Sequence, residues 1–139
     1  VLGTGQSAGN GLISCGLAWV GQGTNGNLYS SMSSRMYSIT AIDCGATTFV
    51  HELGHNQGLA HSRKQGDTSG GVYVDGMGHG VQNEFASIMA YPHVYGSATQ
   101  YDYFSNPNWS VNGIAFGITN QAYAIRTVTA TKTSIANFK

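Results

Sequence analysis

Apolar positions in this chain fall into short runs separated by stretches rich in glycine, serine and asparagine, and the spacing within the runs changes along the sequence. Residues 1–11 are glycine-rich and read as irregular. Residues 12–20 (LISCGLAWV) form a continuous apolar run closed by Gly21 and Gly23, which predicts a strand. Residues 25–34 read as a loop, and residues 36–42 (MYSITAI) have the β-branched and aromatic content of a second strand. Residues 46–57 predict a helix: Phe49, Val50 and Leu53 recur at helical spacing, and Gly58 follows as a stop. Residues 62–82 predict a long glycine-rich loop with one hairpin, and residues 85–91 a short apolar segment ended by Pro92. Residues 93–117, with FSNPNW at 104–109, read as irregular. Residues 119–138 predict a C-terminal amphipathic helix with Ala122, Ile125, Val128, Ile135 and Phe138 on one face. The chain has no internal repeat at 20–50 residues.

Composition narrows the class. With 139 residues, 41% of them hydrophobic, the chain has the length of one domain and enough apolar material for a modest core. Charged residues are only 9%, and six basic residues cancel six acidic ones. A protein that lives on phosphate contacts needs a basic face, and this balance argues against nucleic acid as a partner. No apolar run is long enough to span a membrane. The surface must instead be neutral and polar, as suits an exported protein. The chain begins at Val1 without a basic segment and an apolar run behind it, so a processed chain or a fragment is expected. Cys15 and Cys44 stand too far apart to be a CxxC redox or metal pair.

One segment carries chemistry: His51-Glu52-Leu53-Gly54-His55-Asn56-Gln57-Gly58-Leu59-Ala60-His61. On a helix, His51 and His55 lie one turn apart on the same face, so both imidazoles can reach one ion. Glu52 sits beside them, placed to meet a water rather than to serve as a ligand. Gly58 permits the backbone turn that brings His61 back to the same point. Three imidazoles with one open position are the donor set of a catalytic zinc site, not of a closed structural one. The competing reading is a buried helix with incidental histidines, each of which would then need its own polar partner. The expected chemistry is peptide-bond hydrolysis by a metal-activated water, with Glu52 as general base and then acid.

HExxHxxGxxH is the metzincin signature, whose companion is a downstream Met-turn. Ser87-Ile88-Met89-Ala90-Tyr91 supplies one 28 residues after His61. HELGHNQGLAH, SIMAYP, YFSNPNWSVNG, CGLAWVG and a last helix ending in ANF together resemble the bacterial reprolysin-like (adamalysin-like) zinc metallopeptidases over residues 12–138. The resemblance implies an α+β, metzincin-like catalytic domain. In it, a small partial β-sheet packs on the active-site helix, and an irregular lower subdomain carries the Met-turn and the C-terminal helix. Only 50 residues precede the motif, so an N-terminally incomplete domain is expected, with 1–61 in the upper subdomain and 62–139 in the lower.

The resemblance also implies roles. His51, His55 and His61 would hold one Zn2+, Glu52 would move protons, and Met89 would floor the metal. The strand Gly16, Leu17, Ala18, Trp19, Val20 would pair with an extended protein or peptide substrate. Tyr91 stands where some metzincins place a tyrosine that reaches the zinc or the transition-state oxyanion; a purely structural tyrosine is the other reading. Cys15 and Cys44 would flank the active-site helix, bonded if the protein is exported and otherwise two buried thiols. Ser62 stands where the resembling chains usually have Asp. Trp19 is either core or subsite wall, Arg126 exposed or ion-paired, and His79, His93 and Glu84 surface or loop residues. Asp67, Asp75 and Asp102 lack the dense spacing of a calcium loop, which leaves calcium open but without support. The expectation is thus a secreted, monomeric zinc endopeptidase, with a catalytically silent zinc-binding or adhesion module on the same fold as the rival. The retention of Glu52 speaks against that rival.

Overall fold

Helix α1 (Ala46–Asn56) forms where the helical spacing places it. The computed structural model describes residues 2–9 and 12–138. Gln57 closes the helix, and Gly58 then takes a φ of +89°, a left-handed conformation that costs glycine little.

The chain before α1 makes more strand than its pattern announces. Strands β1 (Leu2–Gly3) and β2 (Gln6–Gly9) occupy the stretch read as irregular, of which Val1, Asn10 and Gly11 lie outside the described residues. The predicted strand 12–20 is two pieces, β3 (Leu12–Ser14) and β4 (Gly16–Ala18), split at Cys15. Trp19 and Val20 therefore fall outside the strand in which they were expected. Strands β5 (Gly23–Thr24) and β6 (Asn27–Leu28) form a small hairpin, and β7 (Ser38–Ala41) matches the second predicted strand. One three-stranded sheet has the order β1-β7-β4, with β1 parallel and β4 antiparallel to β7. Within this sheet β4 is thus an edge strand.

The sheet and α1 pack against each other, and the helix's last turn clamps them. Gly21 N–H donates to His55 O at 2.8 Å. The buried Asn56 amide donates to Trp19 O at 3.0 Å and Tyr37 O at 3.2 Å. Cys15 and Cys44 are joined in a disulfide, which ties the start of β4 to the turn entering α1. For a loop of this 29-residue separation, cross-linking the unfolded chain stabilises by about 3–4 kcal/mol. Cys15→Ser/Cys44→Ser is expected to lower the unfolding free energy by that amount in a urea titration; an unchanged midpoint would contradict it.

After α1, β8 (Gly80–Val81), β9 (Phe85–Ala86) and β10 (Thr99–Gln100) form a second small sheet in the order β10-β9-β8. Residues 93–117 are not irregular throughout: β11 (Asn106–Val111) and β12 (Ile114–Phe116) make a hairpin. Asn112 and Gly113 at its turn both have positive φ (+52° and +78°), the backbone a two-residue hairpin needs. Helix α2 (Ala124–Ala136) starts later than predicted, because Asn120 is left-handed and residues 118–122 form a bridged turn. Its first turn is capped from afar: Ala124 N–H donates to Ser105 Oγ at 2.9 Å, and Ser105 donates on to Met77 O at 2.6 Å.

The core joins Leu59, Ile88, Met89 and Ala124, with Val50, Phe104 and Val128 packed against them. Of the three apolar residues that announced α1, only Val50 points there; Phe49 and Leu53 are 48% and 38% exposed. The buried face of α1 is His51, Glu52, Gly54, His55 and Asn56. In α2 the fully buried residues are Ala124, Thr127 and Thr131 rather than the predicted apolar set.

Candidate active site

Three imidazoles meet at the buried face of α1. His51 and His55 leave the helix one turn apart, and the turn at Gly58 returns the chain so that His61 faces them. Gly58 N–H donates to His55 O and Leu59 N–H to Gly54 O, which sets the turn. Ala60 then bridges to Met77, fixing the direction in which residue 61 leaves. The ligand atoms of the three histidines all lie within 4.8 Å of one another.

The tautomers follow from the partners. His51 Nδ1 is 2.7 Å from Ile88 O and His55 Nδ1 is 2.9 Å from Leu59 O; a carbonyl only accepts, so both Nδ1 atoms carry the proton. His61 Nδ1 faces Asp67 Oδ2 at 3.2 Å and carries its proton likewise. On His51 and His55 each Nε2 is then a bare lone pair. His55 Nε2 and His61 Nε2 stand 3.2 Å apart, and His51 Nε2 is buried without a hydrogen-bond partner among the described residues. Tetrahedral zinc with bonds of about 2.0–2.1 Å sets its nitrogens about 3.3 Å apart, the spacing of the His55–His61 pair at 3.2 Å, and three imidazoles are a donor set that fits that metal. Burial, chiefly, lowers the His51 pKa to about 4, with repulsion from His55 and His61 adding to it; burial lowers His55 too. Both rings are therefore neutral and able to ligate at pH 7.

Glu52 is 5% exposed, and burial pushes its carboxyl up to about 7. It packs on β4 where the chain has Gly16: a Cβ there would collide with the carboxylate. Met89 is fully buried against α1, and a methyl on Gly54 would come within 2.7 Å of its Sδ. Tyr91 lays its ring over His51 (centroids 5.6 Å apart, planes at 19°) and places its hydroxyl 3.2 Å from His61 Nε2. A cleft of about 630 Å³ opens over this cluster, walled by Cys15 and Gly16, by Thr47 and Thr48 at the start of α1, and by Tyr91, Pro92, His93 and Gln100.

Trp19 joins neither core nor cleft wall: it is 48% exposed beneath the Arg35 guanidinium. Arg126 pairs with the buried Asp75 at 3.0 Å. His79 is half-buried against Phe85, and the exposed His93 stacks on Tyr91 at the cleft mouth. Two residues gave no signal in the sequence. Asp67 contacts His61, and Gln65 accepts the Tyr91 N–H at 2.9 Å. Their approach depends on the path of a loop, which spacing does not encode.

Among solved structures, a chain in one described as "Structure of a chaperone-substrate complex" shares the fold, with a TM-score of 0.61 at 22% identity over 99% of this chain and 20% of that one. A peptidyl-Asp metalloendopeptidase of Pseudomonas aeruginosa is 37% identical over 148 residues, 96% of this chain and 25% of the relative. Peptidyl-Asp metalloendopeptidases of Stenotrophomonas maltophilia and Xanthomonas campestris are 37% and 33% identical over 78% and 83% of this chain, and over 27% and 29% of their own lengths. The chain thus spans about a quarter of the length of these relatives. Residues 4–62 match the model of the metallo-peptidase family M12B, reprolysin-like. With that match and the three-histidine cluster, the chain is similar to the reprolysin-like metallopeptidases of family M12B.

Proposed function

We propose that this chain is the zinc-binding catalytic core of an endopeptidase, acting on extended peptide outside the cytosol. The observation that carries the reading is the convergence of three imidazoles, one with an unpartnered buried Nε2, beside a buried carboxyl under an open cleft. His51, His55 and His61 would hold one zinc. Bound there, the metal supplies a Lewis acid that polarises a carbonyl and lowers the pKa of a water toward ~7.

The remaining work falls to side chains of this chain. Glu52, with a carboxyl titrating at about 7, takes a proton from the attacking water and returns it to the departing amine nitrogen. Edge strand β4 offers its free side to an extended substrate, so that backbone pairing sets the scissile bond over the site. Gly16 lets that strand lie close on Glu52. Tyr91 offers its hydroxyl to the carbonyl oxygen as negative charge develops on it. Tyr91→Phe is expected to lower kcat by about tenfold or more while zinc binding is unchanged; full activity in that variant would remove the role.

The relatives are named for action at aspartyl residues, and we extend that preference to this chain. Among the described residues, Glu52 is the acidic group lining the cleft, while His93, Gln100, Thr47 and Thr48 line it as well. An aspartyl side chain beside the scissile bond thus meets no fixed negative charge other than Glu52. The disulfide suits an oxidising compartment, and no helix among the described residues is long and apolar enough to cross a membrane. Cleavage of a quenched peptide holding one Asp, compared with the same peptide holding Asn, tests the substrate class: faster cleavage of the Asp peptide is expected, and equal rates would overturn the preference.

A further inference from the structure

The three imidazoles are not held alike. His51 and His55 grow from α1, whose backbone fixes their Cα positions, and each rests its Nδ1–H on a main-chain carbonyl. His61 lies beyond the helix, on chain that leads into a short 3₁₀ turn (Arg63–Gln65), and its side chain is 27% exposed. A ring on such a segment loses rotational freedom only if something grips it. Asp67 does so twice with a single atom: Oδ2 accepts the His61 backbone N–H at 2.8 Å and lies 3.2 Å from His61 Nδ1. Ser62, next to His61 in sequence, cannot share the task, because its hydroxyl is donated to Gln65 Oε1 at 2.8 Å.

The loop is built to bring this carboxylate round. Gly66 is left-handed at φ +105°, its N–H returns to Arg63 O, and the Arg63 guanidinium donates to Thr68 O at 2.6 Å just past Asp67. The same turn supplies Gln65 to the Tyr91 N–H. Asp67 is thus the anionic partner in a set whose other two imidazoles rest on neutral carbonyls.

We propose that Asp67 is the positioning residue for His61: it fixes the Nδ1–H tautomer and turns Nε2 toward the point shared with His51 and His55. The chemistry is that of an imidazole held between a carboxylate and a metal, where loss of the carboxylate weakens metal binding by about 10–100-fold. The inference rests on the reading of the three imidazoles as a zinc site.

The test is a zinc titration against a chromophoric chelator, with the full chain and its Asp67→Ala, Asp67→Asn and Lys64→Ala variants. It is run at a temperature where circular dichroism shows each variant folded. Asp67→Ala is expected to bind zinc 10–100-fold more weakly. Asp67→Asn, which keeps an acceptor but no charge, is expected to recover part of that loss. Lys64→Ala, in the same turn but away from His61, is expected to match the wild type. A purely structural Asp67 would lower the melting temperature of the metal-free chain and leave the zinc affinity of the folded chain within threefold; that result overturns the proposal. Should Asp67→Ala fail to fold, Asp67→Asn decides by the same threefold criterion. Failure of the wild type to bind zinc would instead overturn the reading of the site itself.

Discussion

Glu52→Gln is expected to lower kcat for peptide hydrolysis by about 10²–10⁴-fold, the range that a positioned general base contributes, while the chain still binds one zinc. Gln keeps the shape and packing of the side chain against Gly16 and removes only its capacity to carry a proton. The same variant has a second expected effect, of opposite sign, on stability. Glu52 titrates at about 7 in the fold against an ordinary 4.5, so the folded chain holds that proton more tightly than the unfolded one. The resulting stability is fully present below pH 4.5 and is lost as pH rises through 7. A shift of that size corresponds to about 3 kcal/mol of strain in the ionised metal-free wild type above pH 7. Glutamine, which never ionises, escapes it. Urea midpoints of the two metal-free proteins should therefore separate at pH 8, with the variant more stable, and separate less at pH 5. A catalytic group held at a cost to stability is a common arrangement. An active Glu52→Gln chain, or one less stable than the wild type at pH 8, would contradict the assignment.

Loss of a single imidazole is expected to have an effect as large. Tight zinc sites bind with about 10–16 kcal/mol, so removing one of three protein ligands should weaken binding by roughly 10²–10³-fold. His51→Ala removes a bare Nε2 and also leaves Ile88 O, the acceptor of its Nδ1–H, without that donor. Hydrolysis by His51→Ala should fall well below the wild-type rate at zinc concentrations that just saturate the wild type. The wild type should gain melting temperature on zinc addition, because zinc at 100 times its dissociation constant stabilises by about 2.7 kcal/mol, and His51→Ala should gain no more than about 0.4 kcal/mol at that concentration. A zinc-dependent rise of equal size in both proteins would remove His51 from the ligand set.

Much of the site could be read from the sequence because its information is local. His51, Glu52 and His55 are placed by helical spacing alone, and His61 by the turn that Gly58 allows. What escaped was set by contacts between distant segments. The start of α2 depends on Ser105, nineteen residues away from Ala124 in the chain. Asp67 and Gln65 reach the site only because the loop curls back at Gly66. The rule that a helix buries its apolar stripe fails for α1, where the polar side faces inward and Phe49 and Leu53 remain partly in solvent. Such local conflicts gather at functional sites. The β11–β12 hairpin is a different case: its Asn112-Gly113 turn is a local signal, and the low apolar content of residues 93–117 concealed it.

Whether bound zinc makes this chain a peptidase is decided by stripping the metal with a chelator and titrating zinc back while hydrolysis of a quenched Asp-containing peptide is followed. The stripped chain is expected to cleave nothing, and the rate to rise with added zinc and level off at one equivalent per chain. A chain that takes up one equivalent of zinc and still cleaves nothing, or one that cleaves equally well without it, is not a zinc peptidase.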